Sequence, residues 1–253
     1  MMYQGFFTLI EREVYRFSRL SRQTIFPPII TTLLFIFIFG FSLGASIRQI
    51  EGFSYIMFIL PGLASMSVIT NAYANTSTSL FMARMDRSIE NTLIAPVTYF
   101  QMALSLAIGG ILRGLVIGLI TLLVGIFSVH LKVHDWPLTL LVLTLSSIIF
   151  SNLGIISALQ AEGWDSIAMF TNFLITPLVY LGGVFYSIQM LPPFWHKVSL
   201  INPIFYLVDS LRYSILGTSA VALSLSLGIL VFLTIATFAI CVWLFKIGYK
   251  MVT

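Results

Sequence analysis

From Val221 to Phe245 the sequence carries no charged side chain. A helix of roughly 20 mostly apolar residues crosses the hydrocarbon core of a bilayer. Runs of comparable length recur at 25–45, 53–77, 99–129, 137–160 and 166–188. Over the whole chain 58% of residues are apolar and 9% are Asp, Glu, Lys or Arg. An ordinary soluble domain has about 25% charged residues. So few charges could not cover a globule's surface, which excludes a soluble enzyme, a disordered chain and a nucleic-acid binder of ordinary design. The expected fold is an all-α membrane protein with six transmembrane helices.

The third run is longer than a ~30 Å core requires, so it tilts or extends into the interface. Pro27 and Pro28 fall at the start of the first run, where proline is tolerated. Pro61 and Pro177 are predicted to kink or break their helices. With the N-terminus inside, the inner segments hold Arg12, Arg16, Arg19, Arg22, Arg84, Arg87, Lys246 and Lys250. The outer ones hold Arg48, Lys132, Lys197 and Arg212, and this excess of inner cations places both termini in the cytosol. It also accounts for the net charge of +4 without invoking nucleic acid. The charged start of the chain reads as a mature cytosolic segment rather than a secretory signal. The single cysteine, Cys241, reads as a small buried hydrophobe.

Four segments outside the runs carry information. In the N-terminal stretch Phe6, Leu9, Ile10, Glu13 and Phe17 share one helical stripe, while Arg12, Arg16 and Arg19 gather at spacings of four and three. That pattern is a basic amphipathic helix on the inner leaflet, either an anchor or a lever against a cytosolic partner. Residues 79–96 read as a short amphipathic cytosolic helix ended by Pro96, with Phe81, Met85, Ile89 and Leu93 as its apolar stripe. Arg84, Asp86, Arg87 and Glu90 are spaced to pair on one face, which suits a docking element as well as a solvated connection. The loop Ala161–Asp165 carries two solvated carboxylates and reads as a turn or a second contact. Residues 189–220 are aromatic and broken by proline, and they predict two short helices dipping into the outer leaflet.

These parts, in this order, resemble the ATP-binding-cassette (ABC) type-2 export permeases over nearly the whole chain. The local matches are Ile89 through Val97, Tyr180 through Tyr186, Leu191 through Trp195, and Asn202-Pro203 through Arg212-Tyr213. The resemblance is strongest to small bacterial inner-membrane permeases, and extends to exporters of lipid-linked polysaccharide and of drugs. It implies one transmembrane domain over 1–253: an interfacial helix at 1–24, spans one to five within 25–188, a re-entrant outer segment at 189–220, the sixth span at 221–245 and a cytosolic tail at 246–253. It also implies a homodimer that docks two ATPase subunits, each through the helix after span two and the N-terminal helix. By that carry-over Arg84, Asp86, Arg87 and Glu90 form the coupling face, with Glu11 and Arg12 beside it. Segment 190–213 gates the outer end of the path, with Phe194, Trp195, Tyr206 and Tyr213 as gate candidates. The approach to the coupling helix, Met82 to Arg87, has fewer acids than the family pattern. The sequence has no GxxxxGK[ST] phosphate loop. ATP and Mg are therefore expected on the partner ATPase, with no cofactor on this chain.

Arg113 lies near the centre of span three, where a charge costs about 2.5–3.5 kcal/mol and must face protein or water. Its expected partner is a carbonyl, an Asn or a lipid phosphate, in a structural or a substrate-path role. Gly110, Gly114 and Gly118, and separately Gly40 and Gly44, stand four apart and allow close helix approach. Thr70, Asn71 and Asn75 place polar groups in the inner half of span two, to line a path or bond a neighbouring helix. Tyr180, Phe185 and Tyr186 belong to an outer aromatic cluster that could meet cargo or form a headgroup belt. His130, His134 and Asp135 read as a solvated loop rather than a metal centre. A secondary transporter or channel is the alternative, although it calls for midplane titratable groups and repeats that the spans lack. An intramembrane enzyme needs a nucleophile with a base, a metal or paired carboxylates, and no such set is present.

Overall fold

The computed structural model describes residues 2–19, 21–39 and 49–251. The distal part of the first run, 40–45 with Gly40 and Gly44, lies outside them, as does Arg48. In chain order the helices are α1 (Met2–Arg19), α2 (Ser21–Ile38), α3 (Tyr55–Met85), α4 (Ile89–Ile94), α5 (Tyr99–Val129) and α6 (Trp136–Gln160). There follow α7 (Trp164–Met169), a π-helical stretch Phe170–Ile175, α8 (Thr176–Leu181), a 3₁₀ turn Ile188–Met190, α9 (Pro193–Ile201), α10 (Pro203–Leu216) and α11 (Leu223–Lys246). A two-stranded hairpin, β1 (Gln49–Ile50) and β2 (Phe53–Ser54), precedes α3, and it turns at Glu51 and Gly52 with positive φ.

The protein is an all-α membrane protein. Among the described residues four helices, α3, α5, α6 and α11, are long and apolar enough to span, and the pair α1–α2 makes a fifth if counted as one bent span.

The core is a three-helix seam of α3, α5 and α6, and the small residues explain it. A Cβ on Gly114 would come within 2.6 Å of Ser147 Oγ on α6, and one on Gly118 within 2.5 Å of Val68 on α3. Gly110 faces Ser151 and Thr76, while Gly154 of α6 faces Thr76 and the Tyr73 carbonyl. The glycine ladder predicted for close packing thus serves two neighbours at once. Where apolar solvent gives helices no hydrophobic drive to associate, this proximity supplies the dispersion energy. Polar side chains cross the same seam: Thr76 Oγ1 donates to the Ser151 carbonyl at 2.8 Å, and the Tyr73 and Ser157 hydroxyls pair at 2.8 Å.

Capping fixes the helix starts. Thr98 and Gln101 form a reciprocal capping box at α5, and Asp135 accepts the Leu138 N–H at α6. His130 ends α5 in a left-handed conformation, and His134 meets Tyr213 edge-on. Asn202 caps α10 while its amide donates to the Leu178 carbonyl at 2.6 Å, tying α10 to α8.

Three elements differ from the sequence expectation. α3 does not end near residue 77 but continues to Met85, and at ~1.5 Å per residue its 31 residues exceed the hydrocarbon thickness. The single amphipathic helix expected over 79–96 is therefore split. Arg87 takes a positive φ of 59° after the Asp86 cap, and a separate six-residue α4 follows. The fifth run is helical only to Leu181. Gly183, at φ 77°, turns the chain so that Val184 packs on Gly62, where a Cβ would lie 2.6 Å from the Val184 carbonyl oxygen. Third, Pro61 does not interrupt α3, whereas Pro177 directly follows a π turn, where Thr176 Oγ1 reaches the Thr171 carbonyl at 3.0 Å. That wider turn accommodates the N–H that proline lacks.

Candidate functional site

At one end of the bundle α1 is held against α3 and α5 by a buried carboxylate. Glu13 is 2% exposed, and the Ser79 hydroxyl lies 2.9 and 2.8 Å from its two oxygens. Arg16 Nη2 donates to Glu13 Oε2 at 3.0 Å and to the Asn75 carbonyl at 2.9 Å, and Arg12 approaches Oε1 at 3.5 Å. Gly109 of α5 leaves the room: a Cβ there would meet Glu13 Cβ at 2.9 Å and the Asn75 amide at 3.2 Å. Sequence reasoning placed Glu13 on the apolar stripe of α1 without giving it a role. An acid on an otherwise apolar face was the available signal.

The path candidates converge beside this joint. Thr70, Asn71 and Arg113 line a groove of about 340 Å³ with Thr31, Thr32 and Phe35 of α2. Arg113 Nη2 donates to Asn71 Oδ1 at 3.3 Å, an Asn being one of the three partners expected. The Asn71 amide in turn donates to the Ser67 carbonyl at 3.0 Å, and the Thr70 hydroxyl to that of Met66 at 2.8 Å. Asn75 lies one turn further along α3, and its backbone takes up Arg16. The groove is thus polar on α3 and α5 and is flanked by the sparsely packed α2, whose Ile30, Leu33 and Leu34 are exposed.

Phe35 in the wall of the groove belongs to a cluster of aromatic rings. Phe185 lies 5.7 Å from Phe35, 5.5 Å from Phe39 and 5.9 Å from Tyr180, centroid to centroid. Offset and tilted ring pairs at such distances attract beyond their area burial. Tyr55 anchors the turn by donating to the Phe185 carbonyl at 3.1 Å, and Tyr186 follows it, half-buried.

Beside this ring cluster the helix pair α9–α10 carries a second buried charge. Arg212 is 3% exposed, donates to the Gly183 carbonyl at 2.6 Å and stacks its guanidinium 3.9 Å above the Phe58 ring. Asp209, one turn earlier, accepts the Ala220 N–H at 2.8 Å. Glu51 in the hairpin accepts from Ser187 at 2.6 Å. These three were not singled out from the sequence; an i, i+3 acid–base pair inside an apolar segment was the readable sign. Of the gate candidates, Phe194 and Trp195 form an exposed T-shaped pair, Tyr206 donates to the Leu200 carbonyl at 2.7 Å, and Tyr213 faces His134. Tyr213 therefore braces the α5–α6 loop.

The coupling candidates separate into two groups. Arg84 is 6% exposed and donates to the carbonyls of Ala158 and Ala161 at 2.6 and 3.0 Å, closing the C-terminal end of α6. Glu11, Arg12, Asp86, Arg87 and Glu90 reach the surface of the same end. Hydrogen bonds from Ser88, led by its side chain, hold the Asp86 carboxyl below the usual carboxylate range. No ion pair forms among Arg84, Asp86, Arg87 and Glu90 among the described residues; the pairs there are those of Glu13 and Lys250–Glu162. The left-handed turn at Arg87 is the reason, since it removes the shared helical face.

The sequence model of the ABC-2 type transporter matches residues 4–216. The chain belongs to the ABC-2 type transporter family. This permease is 43% identical to the inner membrane transport permease YadH of Escherichia coli K12 over 230 residues, 91% of this chain and 90% of the relative. It is also 29% identical to nodulation protein J of Bradyrhizobium diazoefficiens, over 82% of this chain and 79% of the relative. With nodulation protein J of Sinorhizobium fredii the identity is 24%, again over 82% of this chain. Family membership makes the permease the membrane subunit of an ABC transporter and implies an ABC ATPase partner. Such subunits are generally non-catalytic. Among the described residues no group of His, Cys, Asp and Glu is arranged to hold a metal.

Proposed function

We propose that this permease moves an amphiphilic cargo, a lipid-linked glycan, a drug or a similar molecule, outward across the bacterial inner membrane by alternating access. The similarity to YadH, an inner membrane transport permease, supports that membrane. In this reading α2, α3, α5, α6, the α7–α8 segment and α11 are the six spans, and both termini face the cytosol. Two copies pair around the path, and each docks one ATPase subunit that supplies ATP and Mg.

The observation that carries the reading is the groove between α2 and α3. It is polar around Arg113 and Asn71, and its Phe35 wall joins a ring cluster with Phe39, Tyr180 and Phe185. A head group is matched by the polar end and an apolar portion by the ring cluster. Closure by rings that tilt against each other needs no covalent step and reopens when α2 moves away from α8. Glu11, Arg12, Asp86, Arg87 and Glu90 are the surface on which the ATPase acts. Glu13 passes motion of α1 to α3 and α5, and Arg84 braces α3 on α6. Phe194, Trp195 and Tyr206 guard the outer exit.

The test is co-expression with an ABC ATPase subunit from the same organism. The two are expected to co-purify, and transport in vesicles is expected to stop when the ATPase is omitted. Uphill transport by the permease alone, driven by a proton or sodium gradient, would overturn the reading.

A further inference from the structure

The inner end of the groove holds more hydrogen-bond donors than it satisfies. A cavity of about 510 Å³ lies there, lined by Arg12, Arg16, Arg19, Asn75 and Arg113 together with Tyr15, Phe17 and Met82. Three of its buried N–H groups have no partner: Arg16 Nε, Asn75 Nδ2 and Arg113 Nε. Asn75 is 1% exposed, so its amide has no bulk water to turn to. Buried donors are ordinarily paired, and three orphans on residues that line one cavity need an explanation.

Charge points the same way. Arg113 and Arg16 feel each other as like charges. The nearby acids are Glu13 and Asp86, and neither lines this cavity. Glu13 is engaged by Ser79 and the Nη2 atom of Arg16, and Asp86 by Ser88. Four guanidiniums line this space, and among the described residues only those of Arg12 and Arg16 also reach a carboxylate, that of Glu13. Guanidiniums and an amide around a cavity that no carboxylate lines match a tetrahedral oxyanion, which accepts several N–H bonds at once. Tyr15, Phe17 and Met82 match the chain attached to it. The cavity shares Thr24 and Arg113 with the groove above, so the two form one continuous surface.

We infer that this cavity binds the phosphate group of an amphiphile, with Arg16, Asn75 and Arg113 as its donors. This deepens the transport reading above by naming the head group, and it rests on that reading only for the direction of movement. The phosphate comes from a cargo molecule or from a bilayer lipid, and the chemistry is shared.

The test uses the full permease with its ATPase in phosphatidylcholine nanodiscs, titrated with a single-chain alkyl phosphate, its matching alcohol and phosphatidylglycerol, with binding read by native mass spectrometry. The alkyl phosphate is expected to bind at least tenfold more tightly than the alcohol. Arg113→Gln is expected to weaken it at least tenfold, Arg113→Lys much less, and the isosteric Asn75→Asp to abolish the preference by placing an acid at the orphan donor. Thermal midpoints of the variants separate lost binding from lost folding, and Asn75→Asp keeps the side-chain shape. Preference for phosphatidylglycerol over the alkyl phosphate assigns the site to bilayer lipid, and the reverse assigns it to cargo. Equal binding of phosphate and alcohol, or equal phosphate binding by wild type and well-folded Asn75→Asp, overturns the inference. If the complex hydrolyses ATP yet shows no preference, the site fails and the transport reading stands. If no ATPase co-purifies and the preference persists, the transport reading fails and the site stands.

Discussion

Ser79 places its hydroxyl within hydrogen-bond distance of both carboxylate oxygens of Glu13, 66 residues earlier in the chain. The contact joins the N-terminal helix to the C-terminal part of α3, and Gly109 on α5 provides the space. A rotation of α1 therefore cannot occur without moving α3 or breaking this contact.

Glu13→Ala leaves Arg16 partly buried beside Asn75 with its carboxylate gone. Removing one partner of a buried pair costs about 3–5 kcal/mol. The thermal midpoint is expected to fall, and ATP hydrolysis by the assembled complex to lose its dependence on cargo. Ser79→Ala removes one hydrogen bond and is expected to cost only about 1–2 kcal/mol.

Gly114→Val tests the helix seam. Its Cβ alone would sit 2.6 Å from Ser147 Oγ and 3.1 Å from Ala72 Cβ. Overpacking of this kind costs about 1–3 kcal/mol. Ser147→Ala in the same chain is expected to recover part of the loss, read as a coupling term in a double-mutant cycle of unfolding midpoints.

Arg84 and its neighbours should part company. Arg84→Ala withdraws two charge-assisted bonds from the Ala158 and Ala161 carbonyls, each worth about 1.5–3 kcal/mol. Its effect is expected in stability, with ATPase docking intact in the folded fraction. Arg87→Glu and Glu90→Lys are expected to leave the midpoint within about 0.5 kcal/mol and to weaken ATPase co-purification. If the two behaviours are exchanged, the division of the coupling face is wrong.

Phe185→Ala opens the ring cluster, because that ring touches Phe35, Phe39 and Tyr180 together. Vesicles carrying this variant are expected to leak a small dye severalfold faster than wild type and to waste ATP. Phe194→Ala, on an exposed ring pair outside that cluster, is expected to leak much less.

Apolar run length made the membrane fold legible, since a bilayer requires every backbone polar group to be satisfied within a span. The ends of α5, α6 and α11 were readable to within about two residues, because caps such as Thr98 and Asp135 and the charges flanking α11 are local signals. The glycine spacing was legible for the same reason. The continuation of α3 to Met85 was not, because its inner turns are held by Glu13, Arg16 and Trp164 from distant segments. Nor was the early end of α8, which depends on Val184 finding Gly62.

The amino-acid order by itself determined that this chain lives in a membrane, where α5, α6 and α11 run and that Arg113 needs a polar neighbour. These are matters of composition, periodicity and spacing, which act along the chain. Tertiary structure alone decided that Glu13 is a buried tie rather than a surface charge, and that Arg84 braces carbonyls instead of facing a partner. It also decided that three N–H donors meet unpaired around one cavity. A side chain's role there depends on which distant groups share its low-dielectric surroundings, where a partner is worth far more than in water, and no local pattern specifies that meeting.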